Sequence, residues 1–471
     1  MTLATMVSVT PSGMRPASAA SLAPDLTFGG GDGWRAPFET LIGDTAGTDS
    51  GGAYNYLGNA ASLERGFAYN PATGNLILVS RSTAGNGIRI LNGSTGVDVG
   101  ALNQSTGVIS GGTFAYNMVG VADDGVIYVA NLAGDTTTNN YRIYRWENET
   151  AAAPTIAFEG VGATSPLPGA RIGDSFDVIG SGVDTRLVAG YGSSPSVAGN
   201  NGFALFDTAD GMTYGATSVS ITTPGGFTAP PAGEFRLGVT FADSDTVIGK
   251  SSLNPYTVVD VAGFAGTVTQ QATTDGQVLR PMDFAIVDGR PLLAMVEAST
   301  GTIDPARARI FVYDMSDPSL PLADRKIAEA SALPSPQVSN PNSVGQVKFG
   351  AINGNVATIY AMSTNNGIQA FTLTLDPVVA PVDDADFNSD GVVDGNDFLV
   401  WQRGFGLSAQ EEKSTGDADG DGNVNDADLV IWKEQFGSTT TPPATAAVPE
   451  PATFVLMATG LVCLAVRRRN N

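Results

Sequence analysis

The 471-residue chain contains no histidine. That excludes Ser-His-Asp and Cys-His catalysis and any histidine-ligated metal. A single cysteine, Cys463, rules out an intrachain disulfide. With no histidine, and no cysteine near the acidic residues, zinc and copper sites are disfavoured as well. Charge is sparse at 15% of residues, and bases are the scarcer sign: 24 Lys and Arg against 47 Asp and Glu, a net of −23. No basic patch exists outside Arg467-Arg468-Arg469, so the chain has no field with which to hold a nucleic acid. No glycine-rich loop follows a strand and opens a helix, so phosphate-cradle nucleotide binding is not expected. From 34 to 376 no helical periodicity is sustained.

That stretch instead holds β-type runs alternating with Gly, Asn and Asp turns, in a chain with 58 glycines. Units recur every 40–55 residues or so. They start near Arg65 (RGFAYNPATGNLILVSR), Phe114 (FAYNMVGVADDGVIYVANL), Arg171 (RIGDSFDVIGSGVDTRLVAGY), Phe235 (FRLGVTFADSDTVIGKS), Leu279 (LRPMDFAIVDGRPLLAMVE) and Val344 (VGQVKFGAINGNVATIYAMS). Each opens with a strand, turns on polar residues and returns as an apolar strand; most add a third, such as GIRILNG from Gly87. This is the cadence of β-propeller blades and predicts six of them. The last lacks an outer strand, and WRAPFETLIG from Trp34 is expected to supply it by pairing the two ends of the domain. Three units repeat an Arg followed by Phe four or five residues on (Arg171/Phe176, Arg236/Phe241, Arg280/Phe284), which reads as structural repetition. Asp123, Asp124, Asp174, Asp177, Asp243 and Asp283 read as turn residues, and none is singled out as catalytic.

The acidity concentrates elsewhere. Residues 383–428 hold thirteen acids and two bases. Within them one unit occurs twice, 31 residues apart: DFNSDGVVDGNDFLVWQRGFG from Asp386 and DADGDGNVNDADLVIWKEQFG from Asp417. Each starts with a twelve-residue loop carrying oxygen side chains at positions 1, 3, 5, 9 and 12 and Gly (Gly391, Gly422) at position 6. A hard cation such as Ca²⁺ takes six to eight oxygens, and such spacing turns them toward one centre. The expected ligands of two Ca²⁺ ions are Asp386, Asn388, Asp390, the Val392 carbonyl, Asp394 and Asp397 in the first loop. In the second they are Asp417, Asp419, Asp421, the Asn423 carbonyl, Asn425 and Asp428. Position 12 is Asp, not the Glu of an EF-hand, and Pro377 and Pro381 prevent an entering helix. Each unit is therefore a loop followed by one helix, with aligned apolar residues (Phe398/Leu429, Leu399/Val430, Val400/Ile431, Trp401/Trp432, Phe405/Phe436) that can pack in pseudo-twofold fashion.

These 52 residues resemble the type I dockerin family. The resemblance implies calcium-dependent folding and a cohesin partner read through loop positions 10 and 11, often Ser or Thr, and a basic pair on the helix. Here those positions are Gly395–Asn396 and Asp426–Ala427, with Gln402–Arg403 and Lys433–Glu434 on the helices, so this chain departs from the pattern where the partner is read. At the C-terminus, Pro449-Glu450-Pro451 precedes fifteen uncharged, mostly apolar residues (452–466) and then three arginines, which resembles the PEP-CTERM sorting signal. That implies recognition by an exosortase-type enzyme and transfer to the surface or matrix, with at least transient membrane passage through 452–466 as an apolar anchor helix; fifteen residues is short for a stable span. The segment GGTFAYNMVGVADDGVIYVANL, with the unit before it, resembles an uncharacterised propeller-like domain of secreted planctomycete-type proteins, which implies a fold and no activity.

The expected architecture is mainly β. An N-terminal tail or degraded signal peptide (1–33) precedes a six-bladed propeller (34–376) and a linker (377–385). A small helical dockerin-like paired-loop domain (386–437), a Thr/Pro spacer (438–448) and the sorting signal (449–471) follow. The expected function is an exported surface or matrix protein, non-catalytic, binding polysaccharide or protein. The alternative is a secreted carbohydrate-active enzyme, which would need two carboxylates about 5–9.5 Å apart in the central funnel.

Overall fold

The computed structural model describes residues 20–44, 56–81, 87–105, 107–192, 197–250, 255–272, 279–297, 309–331, 338–376, 384–410 and 413–438. It divides into two compact units, one within 16–377 and one following it. The expected N-terminal signal segment before Ala20, most of the linker and the whole sorting signal lie outside the described residues. Among the described residues no helix is long and apolar enough to cross a membrane.

The first unit opens with β1 (Ala20–Pro24) and β2 (Trp34–Arg35). Six antiparallel sheets follow. The first holds β3 (Glu64–Asn70), β4 (Asn75–Ser80), β5 (Ile88–Asn92) and β6 (Asp98–Ala101). The second holds β7 (Phe114–Val121), β8 (Ile127–Leu132), β9 (Tyr141–Trp146) and β10 (Thr155–Gly160). The third holds β11 (Ile172–Ile179), β12 (Arg186–Tyr191), β13 (Phe203–Thr208) and β14 (Tyr214–Ser218). After a short β15 (Ser220–Thr222), the fourth holds β16 (Val239–Asp243), β17 (Thr246–Gly249), β18 (Tyr256–Ala262) and β19 (Ala265–Ala272), with β15 pairing parallel to β19. The fifth holds β20 (Leu279–Val287), β21 (Arg290–Glu297), β22 (Arg309–Asp314) and β23 (Lys326–Ser331). The last brings β24 (Gly345–Asn353), β25 (Val356–Ser363) and β26 (Ile368–Leu375).

The innermost strands form a closed ring: β3 lies against β7, β7 against β11, then β16, β20 and β24, which returns to β3. This is a six-bladed propeller. Each seam between neighbouring blades has its own apolar cluster, six in all. The strands are apolar on both faces because both faces of an inner blade are covered. Leu76, Ile77, Leu78 and Val79 of β4, for example, are all fully buried.

The last sheet is completed by the start of the domain, but not as expected. The outer strand is β1, paired antiparallel with β26 from Ala20↔Leu375 to Pro24↔Phe371. Trp34 and Arg35 pair with the same strand further along, at Gln369 and Ile368. The residues assigned from sequence to an N-terminal tail therefore include an edge strand of the propeller. They were obscure because ASLAP has no alternation and carries a proline, which an edge strand tolerates. Phe28, in the turn after β1, is buried with Phe67, Leu76, Tyr360 and Ile368 and ties the first blade to the last.

In the second unit, α1 (Gly395–Gly404) and α2 (Asp426–Gln435) each follow a loop. Both start on a capping box, with Asp394 and Asn425 as N-caps and Asp397 and Asp428 reaching back to the cap N–H. Both end on a left-handed glycine, Gly406 at φ 89° and Gly437 at φ 82°. Ala385, Phe387, Val393, Trp401, Ala418 and Val424 make its buried core.

Candidate functional site

The paired loops fold as two superimposable turns. Gly391 and Gly422 at position 6 take φ of 87° and 84°, the left-handed conformation that the sharp turn requires. Position 4 is left-handed too, at Ser389 (57°) and Gly420 (70°), a requirement the oxygen spacing did not disclose. The position-1 carboxylate anchors the turn: Gly391 N donates to Asp386 Oδ2 at 2.9 Å, and Gly422 N to Asp417 Oδ2 at 2.8 Å. The position-12 carboxylates are buried inside. Asp397 accepts from the backbone N–H of Asn388 (3.1 Å) and Asp394 (2.8 Å), and Asp428 from Ala418 (2.6 Å) and Asn425 (2.7 Å). Position-12 Asp thus closes both the loop and the helix cap.

The two units are locked by reciprocal hydrogen bonds between equivalent residues. The Trp401 indole donates to the Asn425 carbonyl (2.8 Å), and the Trp432 indole donates to the Asp394 carbonyl (3.0 Å). Gly406 N donates to Val424 O and Gly437 N to Val393 O, both at 2.9 Å. Each helix therefore supports the other unit's loop, and the expected pseudo-twofold packing is present for Phe398/Leu429, Val400/Ile431 and Trp401/Trp432, while Leu399/Val430 and Phe405/Phe436 are exposed.

The residues of the second loop fit a hard cation. Asp417, Asp419 and Asp421 each place a carboxylate oxygen within 4.8 Å of the other two. Asp417 is 4% exposed, and its Oδ1 is buried with no hydrogen-bond donor. A bare carboxylate oxygen inside a cluster of like charge is costly unless a cation meets it. Burial first, and then the carboxylates of Asp428, Asp421 and Asp417, push the Asp419 carboxyl upward. The first loop gathers Asp386, Asn388, Asp390, Asp394 and Asp397 in the same turn, with Asn388 in place of a third carboxylate and its amide on Asp390 at 3.0 Å.

The propeller channel holds a second constellation, built from innermost strands. Lys348 of β24 donates to Asp177 of β11 and Asp283 of β20, both at 2.6 Å. The remaining Asp177 oxygen accepts from Thr240 Oγ1 and Phe241 N, each at 2.9 Å, and that of Asp283 from Phe349 N at 2.7 Å. Burial, and next the neighbouring Asp177, raise Asp283 to about 6 against the pull of Lys348. Asp174, three residues before Asp177, is held at about 2: burial would raise it, but Arg171, Arg236 and Arg65 outweigh that. These three aspartates, expected in turns, are buried strand residues pinning five blades together. Asp123 and Asp124 lie in the turn between β7 and β8, where Asp124 accepts from Val126 N, and both also accept from the third blade, at Gly180 N and Gly182 N. Asp243, ending β16, accepts from Asp245 N.

Comparison with known proteins agrees with these divisions. Residues 35–201 match a family described as "Domain of unknown function (DUF4623)", 384–437 match the Dockerin type I domain, and 447–469 match the PEP-CTERM protein-sorting motif. No curated protein sequence matches the chain. The crystal structure of a DUF4623 family protein from Bacteroides eggerthii is similar at 17% identity and a TM-score of 0.52, over 73% of this chain and 77% of that one, and shares the fold. A luciferin-regenerating enzyme (12% identity, TM-score 0.36, 68% of this chain and 94% of that one covered) and a gluconolactonase from Xanthomonas campestris (11%, 0.38, 68% and 88%) are more distant. The dockerin and sorting matches mark the chain as exported and surface-directed, with a calcium-binding module, a cohesin-type partner and recognition by an exosortase.

Proposed function

We propose that the chain is a non-catalytic binding protein of the cell surface or extracellular matrix. In this reading the propeller takes an extracellular polysaccharide or a surface protein. The dockerin-like module, folded around two Ca²⁺ ions, connects it to an assembly or to its sorting tail. The ligands are the twelve loop residues from Asp386 to Asp397 and Asp417 to Asp428 named above. Bound calcium supplies the charge that lets these carboxylates share a small volume. The chain's own residues set the turn, cap the helices and orient the two Trp locks. The exosortase step falls near Pro449-Glu450-Pro451, while 452–466 is in the membrane.

The observation carrying the non-catalytic reading is that the channel carboxylates are all engaged. Asp177 and Asp283 share one lysine and spend their other oxygens on backbone and hydroxyl donors, and Asp174 is held by arginines. A glycosidase needs one carboxylic acid and one carboxylate free to meet the sugar, and the raised Asp283 is buried against Lys348 instead. The test is a pull-down from extracellular glycans and surface proteins with the full chain, in calcium and in EDTA. Retention of a glycan or protein that is recovered unmodified is expected. Release of new reducing ends from the bound glycan, abolished by Asp283→Asn, would replace this reading with the hydrolase.

A further inference from the structure

The ring of innermost strands carries a charge imbalance in one place. Arg65 on β3, Arg81 just after β4, Arg171 just before β11 and Arg236 just before β16 are drawn to the same spot, around Asp174. Arg171 reaches Asp174 through two nitrogens, Nε at 2.5 Å and Nη2 at 2.9 Å. Arg236 Nε donates to the same carboxylate at 2.9 Å, and Arg65 Nη2 lies 3.9 Å from it. Arg65 Nε donates to Asn117 Oδ1 at 3.2 Å, and Arg81 donates to that oxygen too, its guanidinium 3.5 Å over the Phe114 ring. Asn117, fully buried, is held in turn by the Gly173 carbonyl. Four guanidiniums thus share one carboxylate and one amide oxygen. Glu64 is the other acid near Arg65, but its carboxylate accepts from the backbone of Gly58 and Asn365. Burial, and next the charge of Arg236, lower Arg280 at the start of β20.

Two observations show that this cluster is not satisfied by its own residues. Arg65 is only 3% exposed, yet its Nη1 is buried without a hydrogen-bond partner, as is Arg81 Nε. A buried donor of this kind costs the desolvation of the group with no return. Burial, with like charge from Arg171 and Arg236 set against Asp174, lowers Arg65 to about 10; burial and then Arg65 lower Arg81 to about 9. This occurs in a chain of net charge −23, where cations are scarce and a surplus in one spot stands out.

We propose that this cluster at the propeller channel is a binding site for an oxyanion group, the carboxylate or sulfate of an acidic ligand, taken by Arg65 with Arg81, Arg171 and Arg236. The planar guanidinium fork matches the two oxygens of such a group, and each charge-assisted bond is about twice as strong as a neutral one. Asp174 gathers and orients Arg171 and Arg236; it does not cancel the four. The Arg-then-Phe repeat read from sequence as structural has its arginines at this site for Arg171 and Arg236, and its phenylalanines, Phe176 and Phe241, in the blade seams. The inference rests on the binding reading above and names its ligand chemistry; a free oxyanion and an acidic glycan are the two sources that fit.

The test is calorimetric titration of the full chain in calcium with sodium sulfate and with a trimeric uronate. Sodium chloride at matched ionic strength and the neutral trisaccharide serve as controls. Both oxyanions are expected to bind and both controls to be inert. Uronate tighter than sulfate assigns the site to an acidic glycan, and equal affinity assigns it to a small oxyanion. Arg65→Met and Arg236→Gln are each expected to weaken binding by about tenfold or more. Arg65→Met also removes an unmatched buried donor, so without ligand its Tm should hold or rise while the sulfate-dependent rise in Tm disappears. No heat from either oxyanion, or a fall in Tm of Arg65→Met with binding unchanged, would overturn the site and make the arginines structural. A glycan retained in the pull-down but not displaced by sulfate would overturn the site and leave the binding reading standing. Cleavage of the bound uronate would do the reverse.

Discussion

The propeller and the paired-loop module are both built from repeats, six in one and two in the other, and they are stabilised by opposite means. The propeller has an apolar cluster in every seam and closes with a strand, β1, brought from the far end of the domain. Some of its charges are buried and paired, as at Lys348 with Asp177 and Asp283. The module buries six apolar residues, with Phe398, Val400, Leu429, Ile431 and Trp432 half-buried against them, and its loops point carboxylates inward. A core that small does not fold a domain of about fifty residues without a staple. The module therefore depends on something outside its sequence, whereas the propeller carries an apolar core in every seam.

The largest effect should come from chelation. EDTA is expected to abolish the helical signal of α1 and α2 and open 384–438 to protease, since metal binding and folding share one free energy. The thermal transition of the propeller should not move. A module that keeps its helices in EDTA would show that its apolar core and reciprocal bonds suffice.

On the other side of the comparison, Lys348→Met should be the most damaging single change in the channel. It leaves two buried carboxylates with no cation between them, and breaking such a pair costs about 3–5 kcal/mol. Chemical denaturation of the variant should lower the midpoint of the propeller and leave the response to calcium intact. A neutral outcome would mean that the buried charges are dispensable, as they are in some designed replacements.

The same channel predicts a pH signature. Asp283, raised to about 6, holds its proton more tightly folded than unfolded, so its contribution to stability falls as pH rises from about 4 to about 6. The slope for one such group is at most about 1.4 kcal/mol per pH unit. Asp174, held at about 2, acts in the opposite direction: its contribution is present above its ordinary value and is lost as pH falls through about 2. Asp283→Asn should flatten the upper window and leave the lower one. An unchanged pH profile in Asp283→Asn would show that its proton is not exchanged on unfolding.

The six blades and the two loops were legible because each is a local pattern repeated: a strand, a polar turn and a strand, or oxygens at alternate positions before a Gly. What was not legible depended on partners distant in sequence. ASLAP at 20–24 becomes a strand only because β26 offers it an edge 350 residues away. Asp174, Asp177 and Asp283 sit in stretches that read as turns, and only ring closure brings Lys348, Arg65 and Arg236 to them. The Arg-then-Phe repeat was visible, but the convergence of its arginines needed the ring. In the module, the aligned tryptophans were visible as apolar residues, while their indole N–H donors gave no signal of which carbonyl they would meet.

Those tryptophans provide the smallest and sharpest test of how the module differs from the propeller. A propeller blade supports its neighbour around a ring, so damage spreads in sequence order. In the module each unit supports the other across a pseudo-twofold: Trp401, in the first unit, donates to Asn425 of the second loop, and Trp432 donates to Asp394 of the first. Replacement by Phe keeps an aromatic ring but removes the donor and part of the indole's packing, and the unmet, partly buried carbonyl alone costs about 1–3 kcal/mol. Trp401 is the more buried of the two, so Trp401→Phe should lose somewhat more stability. Stability alone does not separate the two arrangements; calcium does. Trp401→Phe should weaken calcium binding at the second loop, read by pairing it with Asp386→Ala to silence the first, and Trp432→Phe should weaken the first loop, paired with Asp417→Ala. If each variant instead weakens the loop of its own unit, the loops act as independent sites and the reciprocal bonds are packing alone.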